Sequence, residues 1–156
     1  MRKLFSLFFL ILLVAGAFAG CVSDVGAPST EETGESKCVA WLYGYAEALA
    51  LANERGVPVL VDVYTDWCYY CVRMDDKIYS NATVVERSNE FVCLKIDGDK
   101  NRDLVEKYDI AGYPTTLFLD GAGKEIAGTR IAGYPRGGVP EFLNRMADAL
   151  EERNQK

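Results

Sequence analysis

From Val39 onward, runs in which nearly every position is apolar alternate with stretches in which apolar side chains recur every three or four residues. The first pattern suits a strand covered on both faces, the second a helix with one buried stripe. Residues 39–42 are predicted as a short strand, followed by an Ala- and Leu-rich helix over 44–55 that Gly56 and Pro58 end. Residues 57–64 (VPVLVDVY) form a near-continuous run of β-branched side chains, which makes this strand central. A helix is predicted to begin near Cys68 and run past Asp75, with another after the Ser80-Asn81 cap. Residues 91–97 give the next strand, 101–108 a short helix and 115–119 a further strand. The tight turn Asp120-Gly121-Ala122-Gly123 leads into a last strand, 125–131. Pro140 opens a terminal helix to Arg153, with Phe142, Leu143, Met146, Ala149 and Leu150 along one stripe. Strands alternating with helices and closing in a hairpin predict an α/β fold, a central mixed β-sheet flanked by helices.

The first residues read differently. Arg2-Lys3, an apolar stretch from Leu4 to Val14 and small residues up to Gly20 form an export signal. The apolar stretch falls short of the roughly 20 residues of a membrane-spanning helix. Phe18-Ala19-Gly20-Cys21 resembles the lipobox of bacterial-type lipoproteins, in which the cysteine is alkylated with diacylglycerol and becomes the new N-terminus; Phe18 stands where leucine is usual. Ala17-Phe18-Ala19 also satisfies the ordinary cleavage pattern, which would release a soluble protein. The first route anchors the protein on the extracytoplasmic face of a membrane, and the second makes it secreted or periplasmic. Residues 22–37 (VSDVGAPSTEETGESK) lack aromatic residues and apolar periodicity and read as a flexible tether. The expected organisation is a signal peptide at 1–20, a lipid-anchored tether at 21–37 and one folded domain at 38–156.

Composition narrows the chemistry. A chain of 156 residues that is 49% hydrophobic can bury one core. With 17 basic against 23 acidic residues the net charge is -6, and no basic run is present. Nucleic acid is therefore excluded as a partner, because phosphate-backbone affinity comes from Lys and Arg displacing counterions. The absence of histidine removes Ser-His-Asp and Cys-His catalysis and every histidine-ligated metal site. The chemistry falls to five cysteines and the carboxylates.

Cys68-Tyr69-Tyr70-Cys71 directly follows the central strand and opens a helix. Helix N-terminal N–H groups stabilise a thiolate at the first cysteine, and the second lies one turn on, close enough to close a disulfide. Cys68 is the expected nucleophile and Cys71 the resolving thiol. Half of a zinc site shares this spacing, but zinc would have to recruit Cys38 and Cys93, which form no second C-x-x-C. No metal or organic cofactor is expected beyond the redox disulfide itself.

The segment VLVDVYTDWCYYC, from Val59 to Cys71, resembles the strand-loop-helix of thioredoxins, and Tyr113-Pro114-Thr115 resembles their active-site cis-proline loop. The likeness continues through Phe118-Leu119-Asp120-Gly121 and Gly133-Tyr134 and covers about residues 39–150. Within the superfamily, VDVYTDWCxxC, FLDGAGKE and RIAGY are most similar to the C-terminal thioredoxin-like domain of DsbD, a bacterial membrane protein that passes electrons outward.

The resemblance implies a thioredoxin-like fold, thiol-disulfide oxidoreductase activity and roles for individual residues. Asp62 would exchange a proton with Cys71. Inside an apolar strand an unpaired carboxylate is costly, so burial should raise its pKa; a hydrated aspartate, or one paired with Lys95, is the alternative. Asp75, seven residues after Cys68 and four after Cys71, shares their helical stripe and would tune the thiols, or is a solvated surface aspartate. Trp67 would flank the disulfide, and Tyr69 and Tyr70 depart from the common dipeptides between the cysteines. Tyr113 would pair its backbone with an extended substrate segment, a form of strand addition, beside a cis Pro114 that helps keep metal off the thiols. In thioredoxin topology the first strand neighbours the third, so Cys38 and Cys93 could form a structural disulfide; otherwise Cys93 is a buried apolar residue and Cys38 is free. Asn81-Ala82-Thr83 is a glycosylation pattern or a helix cap, the cap being preferred. The implied function is reduction of protein disulfides, or electron relay, by a monomer fed by an upstream thiol donor and held at a membrane by its lipid. A disulfide oxidase or isomerase, or a non-enzymatic binding lipoprotein, is the alternative.

Overall fold

The computed structural model describes residues 39–154, so the segment 1–20, Cys21, the tether 21–37 and Cys38 lie outside the described residues. Every residue of strand β1 (Val59–Tyr64) except Tyr64 is buried, as its unbroken apolar run requires. β1 runs parallel to β2 (Val92–Asp97) and antiparallel to β3 (Thr115–Leu119), and β3 pairs antiparallel with the two-residue β4 (Ile131–Ala132). The sheet order is β2-β1-β3-β4, the expected mixed sheet with β1 inside it.

Alternation along the strands divides the core in two. Val59, Val61, Val63, Val92, Leu94, Ile96, Leu117 and Leu119 cluster with Ala48 and Ala52 of α1 (Tyr45–Arg55) and with Leu104 of α4 (Arg102–Lys107). Leu60, Cys93 and Phe118 face the opposite way. They cluster with Met74 of α2 (Tyr69–Lys77), Val84 of α3 (Ala82–Ser88), and Phe142 and Met146 of α5 (Gly138–Asn154). Asp62 and Lys95 share the parity of Leu60 and Cys93, which sets both charges on the face covered by α2.

The helix ends follow local chemistry. Gly56 closes α1 at φ 62°, a left-handed conformation that costs a residue with a Cβ more than glycine. Asn81 caps α3, its Oδ1 accepting from the Thr83 and Val84 N–H groups at 3.1 and 3.3 Å, which is the cap reading of that tripeptide. α5 begins at Gly138, and Pro140 sits in its first turn, where an N–H would lack a helical partner.

Two strands are shorter than their patterns predict. Of residues 39–42 only Leu42 joins the sheet, donating to the Cys93 carbonyl and accepting from the Lys95 N–H, both at 2.8 Å. Of residues 125–131, Glu125 makes a single bridge to Leu119, and the chain then leaves the ladder until Ile131. The excursion turns at Gly128 (φ 77°), where Thr129 Oγ1 donates to the Ile126 carbonyl. The Arg130 guanidinium fastens it by pairing with Glu125 and donating to the carbonyls of Tyr108 and Asp109. Among the described residues no helix is long and apolar enough to cross a membrane.

Candidate active site

β1 ends at Tyr64, and four residues later Cys68 caps α2: its Sγ accepts the Cys71 N–H at 3.1 Å, and its carbonyl accepts from Cys71 and Val72. The helical turn brings the two Cα atoms to 5.3 Å, and the disulfide is closed. After reduction the same N–H and the helix dipole would meet the Cys68 thiolate. Cys68 and Cys71 are only 6% and 4% exposed, whereas Trp67 and Tyr69 beside them are 71% and 68% exposed. A partner sulfur therefore has to come in over exposed aromatic rings.

Those rings are positioned from several elements. Trp67 Nε1 donates to Asp99 Oδ2 at 2.8 Å, and its ring meets Tyr113 edge-on at 5.9 Å. The Tyr113 ring lies against Gly98 so closely that a Cβ there would fall 2.4 Å from the Tyr113 hydroxyl. The Tyr113–Pro114 peptide is cis, and the Pro114 carbonyl accepts the Gly133 N–H at 2.8 Å, which ties this loop to the segment after β4. From that segment Tyr134 meets Tyr70 at 6.3 Å, and Tyr70 in turn contacts Tyr69 at 5.3 Å. Trp67, Tyr69, Tyr70, Tyr113 and Pro114 are thus joined by contacts around the mouth of the site.

Asp62 is fully buried, and neither carboxylate oxygen accepts a hydrogen bond from a described residue. Loss of water is the largest influence on it and pushes its pKa up to about 7; the Lys95 ammonium, 3.7 Å from Oδ2, pulls it down, and the Asp75 charge pushes it up. Asp62 is therefore buried and at the same time near Lys95, which was the pairing offered as the alternative. Asp75 is half-exposed, and its carboxylate pairs with the same Lys95 ammonium, so it reaches the site's electrostatics through Lys95.

Sequence reasoning named Lys95 only as an alternative partner and missed its surroundings. Its ammonium lies over the rings of Tyr64, Trp41 and Tyr79 at 5.1, 5.5 and 5.9 Å. The available signal was two opposite charges embedded in two apolar strands. The contact between Trp67 and Asp99 was also missed, because it spans a loop that no periodicity reads.

Cys93 is a free, buried thiol whose Sγ contacts the Ser88 carbonyl at 3.7 Å, and burial pushes its pKa up to about 12. It is not half of a bridge in this structure, and Cys38 lies outside the described residues. Among the described residues no group of three or more Cys, Asp or Glu is placed to hold a metal ion. A cavity of about 390 Å³, lined by Ala52, Val57, Pro58 and Ile126 among others, opens at the other end of β1 from the cysteines.

The profile of the thioredoxin-like family matches residues 40–121. Over 119 residues the chain is 33% identical to the thiol:disulfide interchange protein DsbD of Pseudoalteromonas atlantica, an alignment covering 74% of this chain and 20% of that protein. The chain thus spans about a fifth of that relative's length. Among solved structures, a DsbH oxidoreductase superposes with a TM-score of 0.64 at 23% identity, covering 85% of this chain and 95% of its own, a likeness of fold. A thioredoxin from Thermus thermophilus superposes with a TM-score of 0.60 at 29% identity, covering 70% and 85% of the two chains.

Proposed function

We propose, given that this chain belongs to the thioredoxin-like family, that its Cys68–Cys71 couple reduces disulfides of exported proteins and is recharged by an upstream dithiol. The observation that carries the reading is the closed disulfide at the start of α2, with the Cys71 N–H on Cys68 Sγ. In the reduced chain the Cys68 thiolate attacks one sulfur of a partner disulfide, forming a mixed disulfide and releasing the other sulfur as a thiolate that takes up a proton. The Cys71 thiol gives up its proton, which Asp62 accepts in this reading, and attacks Cys68 Sγ. The partner leaves as a dithiol with two electrons gained, and the chain is left with the Cys68–Cys71 disulfide. The disulfide is the redox centre, and an external dithiol supplies the next electron pair.

The reductive direction is supported by the charges near the couple. Asp66, Asp75 and Asp76 outnumber Arg73 and Lys77 in the adjoining sequence, and Lys95 is shared between two carboxylates. An acidic surround disfavours a thiolate, so it disfavours holding electrons and favours passing them on. The location is supported by the export signal and lipobox-like Cys21: two acyl chains would hold the protein stably at a membrane. The tether at 22–37 would then let a monomeric domain from residue 38 onward range about 20–25 Å from its anchor.

The test is the potential of the couple in a thiol buffer series. A value near about -270 mV supports a reductase; one near about -120 mV makes the chain a disulfide donor. In the same preparation Cys71→Ser should accumulate a mixed disulfide with a substrate protein and Cys68→Ser should lose reduction, whereas full activity of Cys68→Ser would overturn the assignment. The mass of the N-terminal fragment of membrane-extracted protein tests lipidation at Cys21.

A further inference from the structure

Two aromatic contacts tie the start of α2 to neighbouring loops, Trp67 to Tyr113 and Tyr70 to Tyr134, and only the second carries a cation. Arg73 lies one helical turn after Tyr70, on the same side of α2, and its guanidinium sits 5.2 Å over the Tyr134 ring. Tyr134 is itself half-buried and follows Gly133, whose N–H is held by the Pro114 carbonyl. Tyr70, Tyr134 and Arg73 therefore form a shelf fixed to the proline loop and reaching to the cysteines.

Arg73 is exposed and pairs with no carboxylate among the described residues. Arg87, Lys95, Lys100, Arg102, Arg130 and Arg145 each have at least one. With the guanidinium held over the Tyr134 ring and no carboxylate upon it, its fork of N–H donors remains able to fit a carboxylate in two-point contact. We infer that Arg73 reads an Asp or Glu flanking the cysteine of the partner segment, so that the preferred substrates are extended segments with a carboxylate beside their disulfide. The inference rests on the oxidoreductase reading above and names its substrate class. The chain's net charge of -6 and the carboxylates of Asp66, Asp75 and Asp76 in the adjoining sequence work against it, since both repel acidic segments. A preference for acidic segments must then come from a local cation.

The test uses two disulfide-closed peptides, identical except for Glu or Lys at the positions flanking each cysteine, with neutral hydroxyethyl disulfide as a third substrate. The pre-reduced chain is mixed with each, and single-turnover rates are divided by the rate of each substrate with dithiothreitol. The Glu peptide should react about tenfold faster than the Lys peptide at low salt, and the ratio should shrink toward one at about 1 M salt, where screening acts within about 3 Å. Arg73→Glu should reverse the order, and Arg73→Lys should keep it with a smaller ratio. Equal rates for the two peptides, a Lys preference in the unaltered chain, or a Glu preference that survives Arg73→Glu would each overturn the inference while hydroxyethyl disulfide is still reduced. An unaltered chain that leaves hydroxyethyl disulfide oxidised overturns the oxidoreductase reading, and this inference with it.

Discussion

Lys95 faces Asp62 across the parallel β1–β2 ladder with its Nζ 3.7 Å from Asp62 Oδ2, while the Asp75 carboxylate holds the same ammonium from the surface side. One cation is divided between a fully buried acid and a half-exposed one. Its attraction does not make up for the water Asp62 has lost, so the buried acid titrates at about 7, within reach of working pH.

Stability should record that titration. The Asp62 carboxyl titrates at about 7 in the folded chain against an ordinary 3.8, so between those values the folded chain keeps a proton that the unfolded chain has released. Stability contributed by Asp62 is full below about pH 4 and is lost as pH rises through about 7. Asp62→Asn cannot ionise and should be more stable than the unaltered chain at about pH 8, by on the order of 4 kcal/mol, with the gain shrinking toward about pH 4. Urea denaturation at both pH values measures it. A gain independent of pH would show that Asp62 does not titrate in this window.

Lys95→Met removes the strongest influence holding the Asp62 proton affinity down. The midpoint of the pH profile for mixed-disulfide resolution should move to higher pH, and the Asp62 carboxyl, followed by NMR, should move with it. Were Lys95 only a packing element beneath Trp41, Tyr64 and Tyr79, stability would fall and both midpoints would stay in place.

Gly98→Ala places a methyl group 2.4 Å from the Tyr113 hydroxyl, at the far end of a side chain that can swing aside. Thermal stability should change by less than about 1 kcal/mol. Displacing Tyr113 opens its contact with Trp67, so KM for a protein disulfide should rise several-fold, while reduction of a small neutral disulfide should change less. Equal losses on both substrates would place the effect on the cysteines and not on the aromatic mouth.

Cys93, with its thiol pushed up to about 12, should resist iodoacetamide at about pH 8 in the folded chain and be alkylated fully once urea is added. Mass spectrometry under non-reducing conditions reads the outcome. A Cys93 that stays unlabelled after unfolding would mean that its sulfur is bonded elsewhere, with Cys38 the first partner to examine.

The parts of the fold that were legible in the sequence are those set by local pattern. β3 spans the predicted 115–119, and β1 and β2 lie inside their predicted runs, because strands buried on both faces need apolar residues at nearly every position. Cys68 at a helix start was legible for the same reason. Residues 125–131 read as a strand entered from a tight turn yet leave the ladder, because Arg130 reaches carbonyls at Tyr108 and Asp109, and no local rule contains that contact. The Asp62–Lys95 register was likewise hidden, since a shift of one residue would have put the two charges on opposite faces. The place of Arg73 over Tyr134 is also a contact between distant parts of the chain, which no local pattern contains.

The bridge at Leu42 has a meaning for how such molecules crowd together. By engaging the Cys93 carbonyl and the Lys95 N–H it occupies the outer rim of β2, and the far rim is a strand of only two residues. Among the described residues neither margin presents a long row of idle peptide groups onto which another copy could zip. Many copies could therefore share a confined space without templating one another into fibrils.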